Sequence, residues 1–268
     1  MDLENSQATQ ENALDPRRLG GQNSGFSDED ISDIICLLLP YSEAARRQLR
    51  NIAATENANR IVERENVGQL DLDYALEEDM RDIARIQPVL GEHYIALRFS
   101  TPVKDPLQGF TFGRNPTLCD VCFRNDPRRR LSNVHFRIYL NEFGVLMLED
   151  LSTNGTSVDE VLLKKKDSPA RETKRTLQSG SKIQIFMHQD SMNLVFIVRI
   201  PIRHGACQEA YERNLQAYMA QRERLANETI VPGPGGRVCV LFAPSFLHPL
   251  LPVLHCVCWV EPDSLSTD

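Results

Sequence analysis

The sequence predicts a mainly β fold, an antiparallel β-sandwich with helical segments before and after it. Two observations carry this. From Tyr94, the apolar residues Ile95, Leu97 and Phe99 alternate with Ala96 and Arg98, the period-two pattern of a strand with one buried face. Similar short runs follow at 110–112, 121–123, 136–140, 145–149, 161–163, 182–186 and 194–200. Turn residues separate them: Asp105-Pro106, Asn115-Pro116, Asp126-Pro127, Asn141 to Gly144, Asn154-Gly155 and Ser179-Gly180. Many short strands at spacings of roughly 8–12 residues are the pattern of a sandwich. No helix is expected between Tyr94 and Ile200.

The flanks read differently. Residues 1–25 are polar and rich in Asn, Gln and Gly, and are expected to be a disordered tail. The tail carries Ser6-Gln7 and Thr9-Gln10, dipeptides that resemble the sites used by DNA-damage kinases, so Ser6 and Thr9 are candidate phosphorylation sites. Residues 26–90 are expected to form a helical N-terminal region. Ser27 and Asp30 have the spacing of a capping box. The apolar run Ile31, Ile34, Ile35, Leu37, Leu38, Leu39 then predicts a short helix stopped by Pro40. Helical density continues over 42–65 and 72–86. Residues 205–228 predict another helix, with Tyr211, Leu215, Tyr218 and Leu225 on one face. Residues 229–268 read as a Pro/Gly-rich linker and an apolar tail. Within it, 238–260 is an uncharged run of membrane-spanning length. Pro244, Pro249 and Pro252 disfavour a continuous helix there. A tail anchor at 238–260 is therefore the alternative reading, and a membrane partner is not the expectation.

Length and charge bound the rest. The chain has 268 residues, 41% of them hydrophobic, room for one good domain plus extensions. Its net charge is -7, but unevenly spread. Residues 1–90 sum to about -9 and residues 91–200 to about +4, so the middle segment is suited to receive an anion. The 7 Cys are an odd number and no signal segment is read, so reduced thiols in an intracellular protein are expected. Cys119 and Cys122 form a lone CxxC, and His255, Cys256 and Cys258 lack a partner cluster at zinc spacing. No metal and no cofactor are expected.

Three clusters within the strand-rich segment carry the functional signal. Phe112-Gly113-Arg114-Asn115-Pro116 ends a strand. Arg130-Leu131-Ser132-Asn133-Val134-His135-Phe136 enters one. Asp150-Leu151-Ser152-Thr153-Asn154-Gly155-Thr156 turns between two. Loops at one end of a sandwich converge. Together these offer a guanidinium, hydroxyls and amides, the donor chemistry an oxyanion needs.

The order Gly-Arg, Ser-x-x-His, Ser-x-Asn-Gly-Thr resembles the forkhead-associated (FHA) family over about 110 residues, here 91–200. Arg-Leu-Ser-Asn-x-His-Phe and Thr-Phe-Gly-Arg-Asn-Pro look most like the FHA regions of fungal checkpoint kinases. The resemblance implies an FHA-type sandwich that binds phosphothreonine. It implies that Arg114 pairs with the phosphate, since a planar fork matches its oxygens. It further implies that Ser132 donates to a second oxygen, that Thr153 lines the pocket, and that Asn154 holds the peptide backbone. Asn133 supports the loop or touches the peptide. His135 is implied to be structural. Gly113 is read as giving backbone room and Gly155 as serving a turn of positive φ. Arg130, within the basic run Arg128-Arg129-Arg130, is the candidate contact for an acidic residue after the phosphothreonine. Lys164, Lys165 and Lys166 read as a solvated loop.

Kinase chemistry is not expected. Gly233-Pro234-Gly235-Gly236 is too short for a kinase glycine loop, and no Lys occurs after Lys182. No His-Arg-Asp or Asp-Phe-Gly follows. The expected protein is a non-enzymatic signalling adaptor of the DNA-damage or meiotic response, nuclear in preference to cytoplasmic. Its partner is a phosphothreonine-containing protein, with self-association through phosphorylated Thr9 as a variant and no direct nucleic-acid contact.

Overall fold

The computed structural model describes residues 26–55, 59–63, 93–124, 126, 128–163, 172–187, 189–232 and 238–240. The helices are α1 (Asp28–Asp33), α2 (Glu43–Ala53) and α3 (Gly205–Thr229). The strands before the first site loop are β1 (Ile34–Pro40), β2 (Ile61–Glu63), β3 (His93–Arg98) and β4 (Phe110–Gly113). Then come β5 (Val121–Cys122), β6 (Phe136–Leu140), β7 (Leu146–Asp150), β8 (Thr156–Val158) and β9 (Val161–Leu163). Last are β10 (Lys174–Thr176), β11 (Lys182–Ile185), β12 (Leu194–Arg199), β13 (Ile230–Pro232) and β14 (Val238–Val240).

Two sheets form a sandwich. One runs β2-β3-β1-β12-β11-β8-β9 and the other β10-β7-β6-β4-β5, while β13 and β14 pair separately. Every pairing in the first two is antiparallel except β4 with β5, which is parallel. The period-two pattern does its expected work in β6 and β7. Phe136, Ile138 and Leu140 are buried, as are Leu146 and Leu148, while the residues between are partly open. The buried faces meet in one core that includes Phe110, Phe112, Phe136 and Leu148 of one sheet and Ile95, Ile183, Ile185 and Phe196 of the other. Phe112 stacks on Phe136 with centroids 4.6 Å apart, and Phe123 on Phe196 at 5.7 Å.

The N-terminal region corrects the sequence reading. The capping box at Ser27 forms, with the Asp30 N–H donating to Ser27 Oγ at 3.2 Å and the Ser27 N–H to Asp30 Oδ2 at 3.0 Å. The helix it starts ends at Asp33, and Ile34 to Pro40 is a strand rather than a continued helix. A short, continuous apolar run fits a buried helix or a two-face-buried strand equally well by periodicity. Tertiary pairing decides for the strand, because β1 lies between β3 and β12 and all seven of its residues are buried. The described part of 26–90 therefore holds strands as well as helices, and β2 lies within the stretch read as helix over 42–65. Other strands differ from expectation as well. β8, β10, β13 and β14 were not anticipated, and β5, β11 and β12 end one residue earlier than the runs read for them. A short 3₁₀ turn at Asp190–Met192 interrupts the segment expected to lack helix. The expected helix at 72–86 lies outside the described residues.

The C-terminal helix docks onto the sandwich. Tyr211 and Tyr218 flank Phe99 at centroid distances of 5.4 and 5.6 Å, and Leu215, Tyr218 and Met219 pack on the core. Arg203 lies 3.8 Å from the Tyr211 ring centroid and donates to the Ile31 carbonyl at 3.1 Å and to the Ile34 carbonyl. At the other end of the contact, Arg222 donates to the carbonyls of Leu140 and Leu107. The helix therefore spans both sheets. A central strand cannot be removed without exposing its neighbours' backbone groups and its own share of the core. Residues 26–232 should give a dispersed NMR spectrum and one cooperative thermal transition. A fragment of 91–203, which lacks β1, should give neither.

Candidate functional site

The three motif loops leave adjacent strands. In the five-stranded sheet β7, β6 and β4 are neighbours, and Phe136 pairs with Phe112 on one side and Asp150 on the other. The loops after β4, before β6 and after β7 therefore emerge side by side, and backbone bonds join them. The Arg114 N–H donates to the Ser132 carbonyl at 3.1 Å and the Asn115 N–H to that of Asn133 at 3.2 Å. The His135 N–H donates to the Phe112 carbonyl at 2.7 Å, and the Leu151 N–H to the His135 carbonyl at 2.9 Å.

Side chains complete the joins. His135 is fully buried, and its Nδ1 accepts from the Ser132 N–H at 3.1 Å. Burial pushes its imidazole down to about 4, so the ring is neutral and keeps the acceptor that bond requires. The Thr153 N–H donates to Ser132 Oγ at 3.2 Å, and Asn154 Nδ2 donates to the Arg130 carbonyl at 2.7 Å. Gly113 has no room for a side chain. A Cβ there would run into the Asn133 carbonyl and lie 2.9 Å from Cys119 Sγ. Gly155 has a φ of +91°, and a Cβ there would lie 2.7 Å from the Leu163 carbonyl.

The outward side chains of the three loops are less committed. Arg114 is half-buried. Among the described residues it makes no ion pair, and its Nε is buried without a hydrogen-bond partner. Ser132 Oγ accepts from Thr153 and, among the described residues, donates to nothing. Asn154 spends one N–H on Arg130 and keeps a second N–H and its Oδ1. Asn133, Thr153 and Arg130 are exposed. The structure thus brings Arg114, Ser132, Asn133, Thr153, Asn154 and Arg130 to one end of the sheet, with Gly113, His135 and Gly155 beneath them. Ser6 and Thr9 lie outside the described residues, as do Lys164 to Lys166 and the Cys256 cluster.

Several supporting residues escaped the sequence reading. Asp150 is fully buried, and its Oδ1 accepts from Ser152 Oγ at 2.8 Å and Thr156 Oγ1 at 2.7 Å. Ser152 Oγ in turn accepts from the Gly155 N–H at 2.7 Å. Asp126 accepts from the Leu131 N–H at 2.6 Å and shapes the basic run, where Arg129 has a φ of +52°. The CxxC pair serves the loops: Cys119 Sγ donates to the Asn133 carbonyl at 2.9 Å and Cys122 Sγ to the Arg114 carbonyl at 3.1 Å. Burial pushes the Cys119 thiol up to about 12, so it stays protonated and can donate. The signal for Asp150 was present as a carboxylate followed by hydroxyls two and six residues on.

No helix among the described residues is long and apolar enough to cross a membrane.

Comparison with known proteins places this geometry. The model of the FHA domain family matches residues 110–186. The serine/threonine-protein kinase Rad53 of Saccharomyces cerevisiae is 32% identical over 126 residues, which are 47% of this chain and 14% of the kinase. The chain therefore corresponds to a small part of that relative. The N-terminal FHA domain of S. cerevisiae Rad53, solved with a phosphothreonine peptide, is 31% identical and aligns over 40% of this chain and 72% of that one, with a TM-score of 0.30. The refined NMR structure of the yeast Rad53 FHA1 domain is 21% identical over 68% of this chain and 85% of that one, with a TM-score of 0.36. The motifs, the sandwich that carries them and the family match agree: residues 110–186 of this chain are an FHA domain.

Proposed function

We propose that this chain is a phosphothreonine reader, and that its site is the loop cluster around Arg114. The observation that carries the reading is the state of Arg114, a half-buried guanidinium without an ion pair among the described residues, its Nε sheltered from water and without a partner. A buried donor left unpaired is costly, so it is a group waiting for an acceptor. The Ser132 hydroxyl, its proton unspent and its oxygen fixed by Thr153, offers a second donor beside it. Relatives point the same way, since one similar FHA structure holds a phosphothreonine peptide.

In this reading Arg114 forks two phosphate oxygens and Ser132 donates to a third. Thr153 lies against the phosphothreonine. Asn154, braced on the Arg130 carbonyl, hydrogen-bonds the peptide backbone with the groups it has left. Asn133 touches the peptide from the facing loop. The Arg130 side chain, exposed beside Asn154, meets an acidic residue following the phosphothreonine. An FHA domain is a binding module, so the action of the protein is to bring a phosphorylated partner to whatever else the chain contacts. Likeness to a checkpoint kinase supports a role in damage or meiotic signalling.

Fluorescence anisotropy of the chain against matched phosphothreonine, phosphoserine and plain threonine peptides tests the reading. Phosphothreonine-selective binding is expected. Arg114→Ala should weaken it by about 10- to 150-fold, the equivalent of a charge-assisted bond of about 1.5–3 kcal/mol. Equal binding of phosphorylated and plain peptides by the folded chain would overturn it. Gly113→Ala should abolish binding by pushing the Asn133 loop aside, visible as altered amide shifts at Arg114 and Ser132.

Two pH dependences separate the ligand from the protein. Peptide affinity should fall as pH drops below about 6, where the phosphate dianion is lost, while His135 stays neutral down to about 4. Folding stability should fall from about pH 6.5 toward 4 for a different reason. The unfolded imidazole, at 6.5, takes up a proton more readily than the buried one. Stability from this group is complete above 6.5 and lost as pH falls, by roughly 2–4 kcal/mol at most. Urea unfolding at pH 4.5, 5.5 and 7 should show a shallower acid slope in His135→Gln.

A further inference from the structure

α2 lies outside the segment that matches the FHA family, yet one of its side chains reaches the stretch that backs the Arg114 loop. β5 is the outer strand of the five-stranded sheet, so the backbone just past it has no strand on its open side. Arg124 occupies that position, and Gln48 supplies the missing rung. Its Nε2 donates to the Arg124 carbonyl, and its Oε1 accepts from the Arg124 N–H at 2.9 Å. Gln48 is buried, so water does not replace either bond.

The residue before Arg124 directs its backbone the other way: the Phe123 N–H donates to the Gly113 carbonyl at 2.8 Å, and one residue earlier the Cys122 side chain adds Sγ to the Arg114 carbonyl at 3.1 Å. Residues 122–124 therefore form a rail with Gln48 on one side and Gly113-Arg114 on the other. The far end of Gly113-Arg114 is tied to Ser132 through the Arg114 N–H.

Gln48 is also anchored. Ala44, Ala45, Leu49 and Ile52 of α2 are buried in the core. The Ser42 hydroxyl caps the helix at Ala45, accepts from the Val195 N–H at 3.1 Å and donates to the Asn193 carbonyl at 2.7 Å. The helix cannot shift without breaking these, so the amide is a fixed point for the rail.

We propose that Gln48 is a positioning residue for Arg114, and that α2 is a working part of the phosphopeptide site. The proposal rests on the reading above. An amide is required because the Arg124 peptide presents a carbonyl and an N–H together. Glu would set an acceptor against the carbonyl, and Ala would leave both groups unpaired.

The test uses the whole chain, ¹⁵N-labelled, as wild type, Gln48→Ala, Gln48→Asn and Leu215→Ala, the last a destabilised control on α3. Hydrogen exchange at single amides is read without ligand. In Gln48→Ala, the Arg114 and Phe123 amides should exchange about tenfold faster, while those of β6 and β7 change by less than about twofold. Leu215→Ala should instead accelerate exchange across the sheets. Anisotropy with the phosphothreonine peptide should show affinity about 3- to 10-fold weaker in Gln48→Ala, with no further loss when Gln48→Ala is added to Arg114→Ala. Gln48→Asn, its amide one methylene short, should behave likewise and serves if Gln48→Ala does not fold. Unchanged exchange at Arg114 and Phe123, or acceleration everywhere, overturns the clamp. Wild-type chain that binds no phosphopeptide while the local exchange pattern holds overturns the phosphate reading and leaves the clamp standing.

Discussion

A loop leaving the end of a sheet takes its peptide groups away from the strands that would have paired them, and each buried group must find another partner. That requirement organises this molecule. The loops after β4, before β6 and after β7 satisfy one another: Arg114 and Asn115 on Ser132 and Asn133, Leu151 on His135, and Thr153 on the Ser132 hydroxyl. Where a loop has no second loop to use, a side chain takes over. The neutral imidazole of His135 receives Ser132, the carboxylate of Asp150 collects two hydroxyls, and thiols cover the carbonyls of Asn133 and Arg114. Among the described residues, the Ser132 proton and Arg114 Nε remain uncommitted.

The same accounting explains the choice of residues. A protonated His135 could not accept from Ser132, and its burial in an apolar surrounding keeps it neutral. A residue larger than glycine at position 113 would collide with the carbonyl it must lie beside. Cysteine at 119 and 122 gives small, apolar volume with a weak donor, and burial holds the Cys119 thiol protonated. The loop cluster thus has its supports fixed by hydrogen bonds and its outer donors uncommitted among the described residues.

The platform below depends on elements distant in the chain. β1 lies inside the seven-stranded sheet between β3 and β12, and α3 reaches from Phe99, next to β3, to Leu140 at the end of β6 in the other sheet. A buried ion pair of Arg60 with Asp120 ties the β2 segment to the loop that carries Arg114, at 3.3 Å. Asp120 also accepts from the Thr111 and Lys104 N–H groups, so its charge is well solvated by the protein itself.

What the sequence by itself determined was local. Alternation in 136–140 and 145–149 placed β6 and β7 because one face of each is buried and the other is not. The three motifs placed Arg114, Ser132 and Asn154 on loops, since turn chemistry is written in adjacent residues. What only the tertiary structure decided was the identity of elements whose local signal is degenerate and the pairing of groups far apart in the chain. Ile34 to Pro40 has no polar face to reveal its period, and its strand exists because β3 and β12 offer it two open edges. β10 shows exposed and half-open residues with little alternation, and follows from its pairing with β7. Gln48 looks like any polar residue on a helix until folding sets it against Arg124, 76 residues away. Hydrophobic period and turn propensity act between neighbours in sequence, whereas a backbone group's need for a partner is met by whatever the fold brings near.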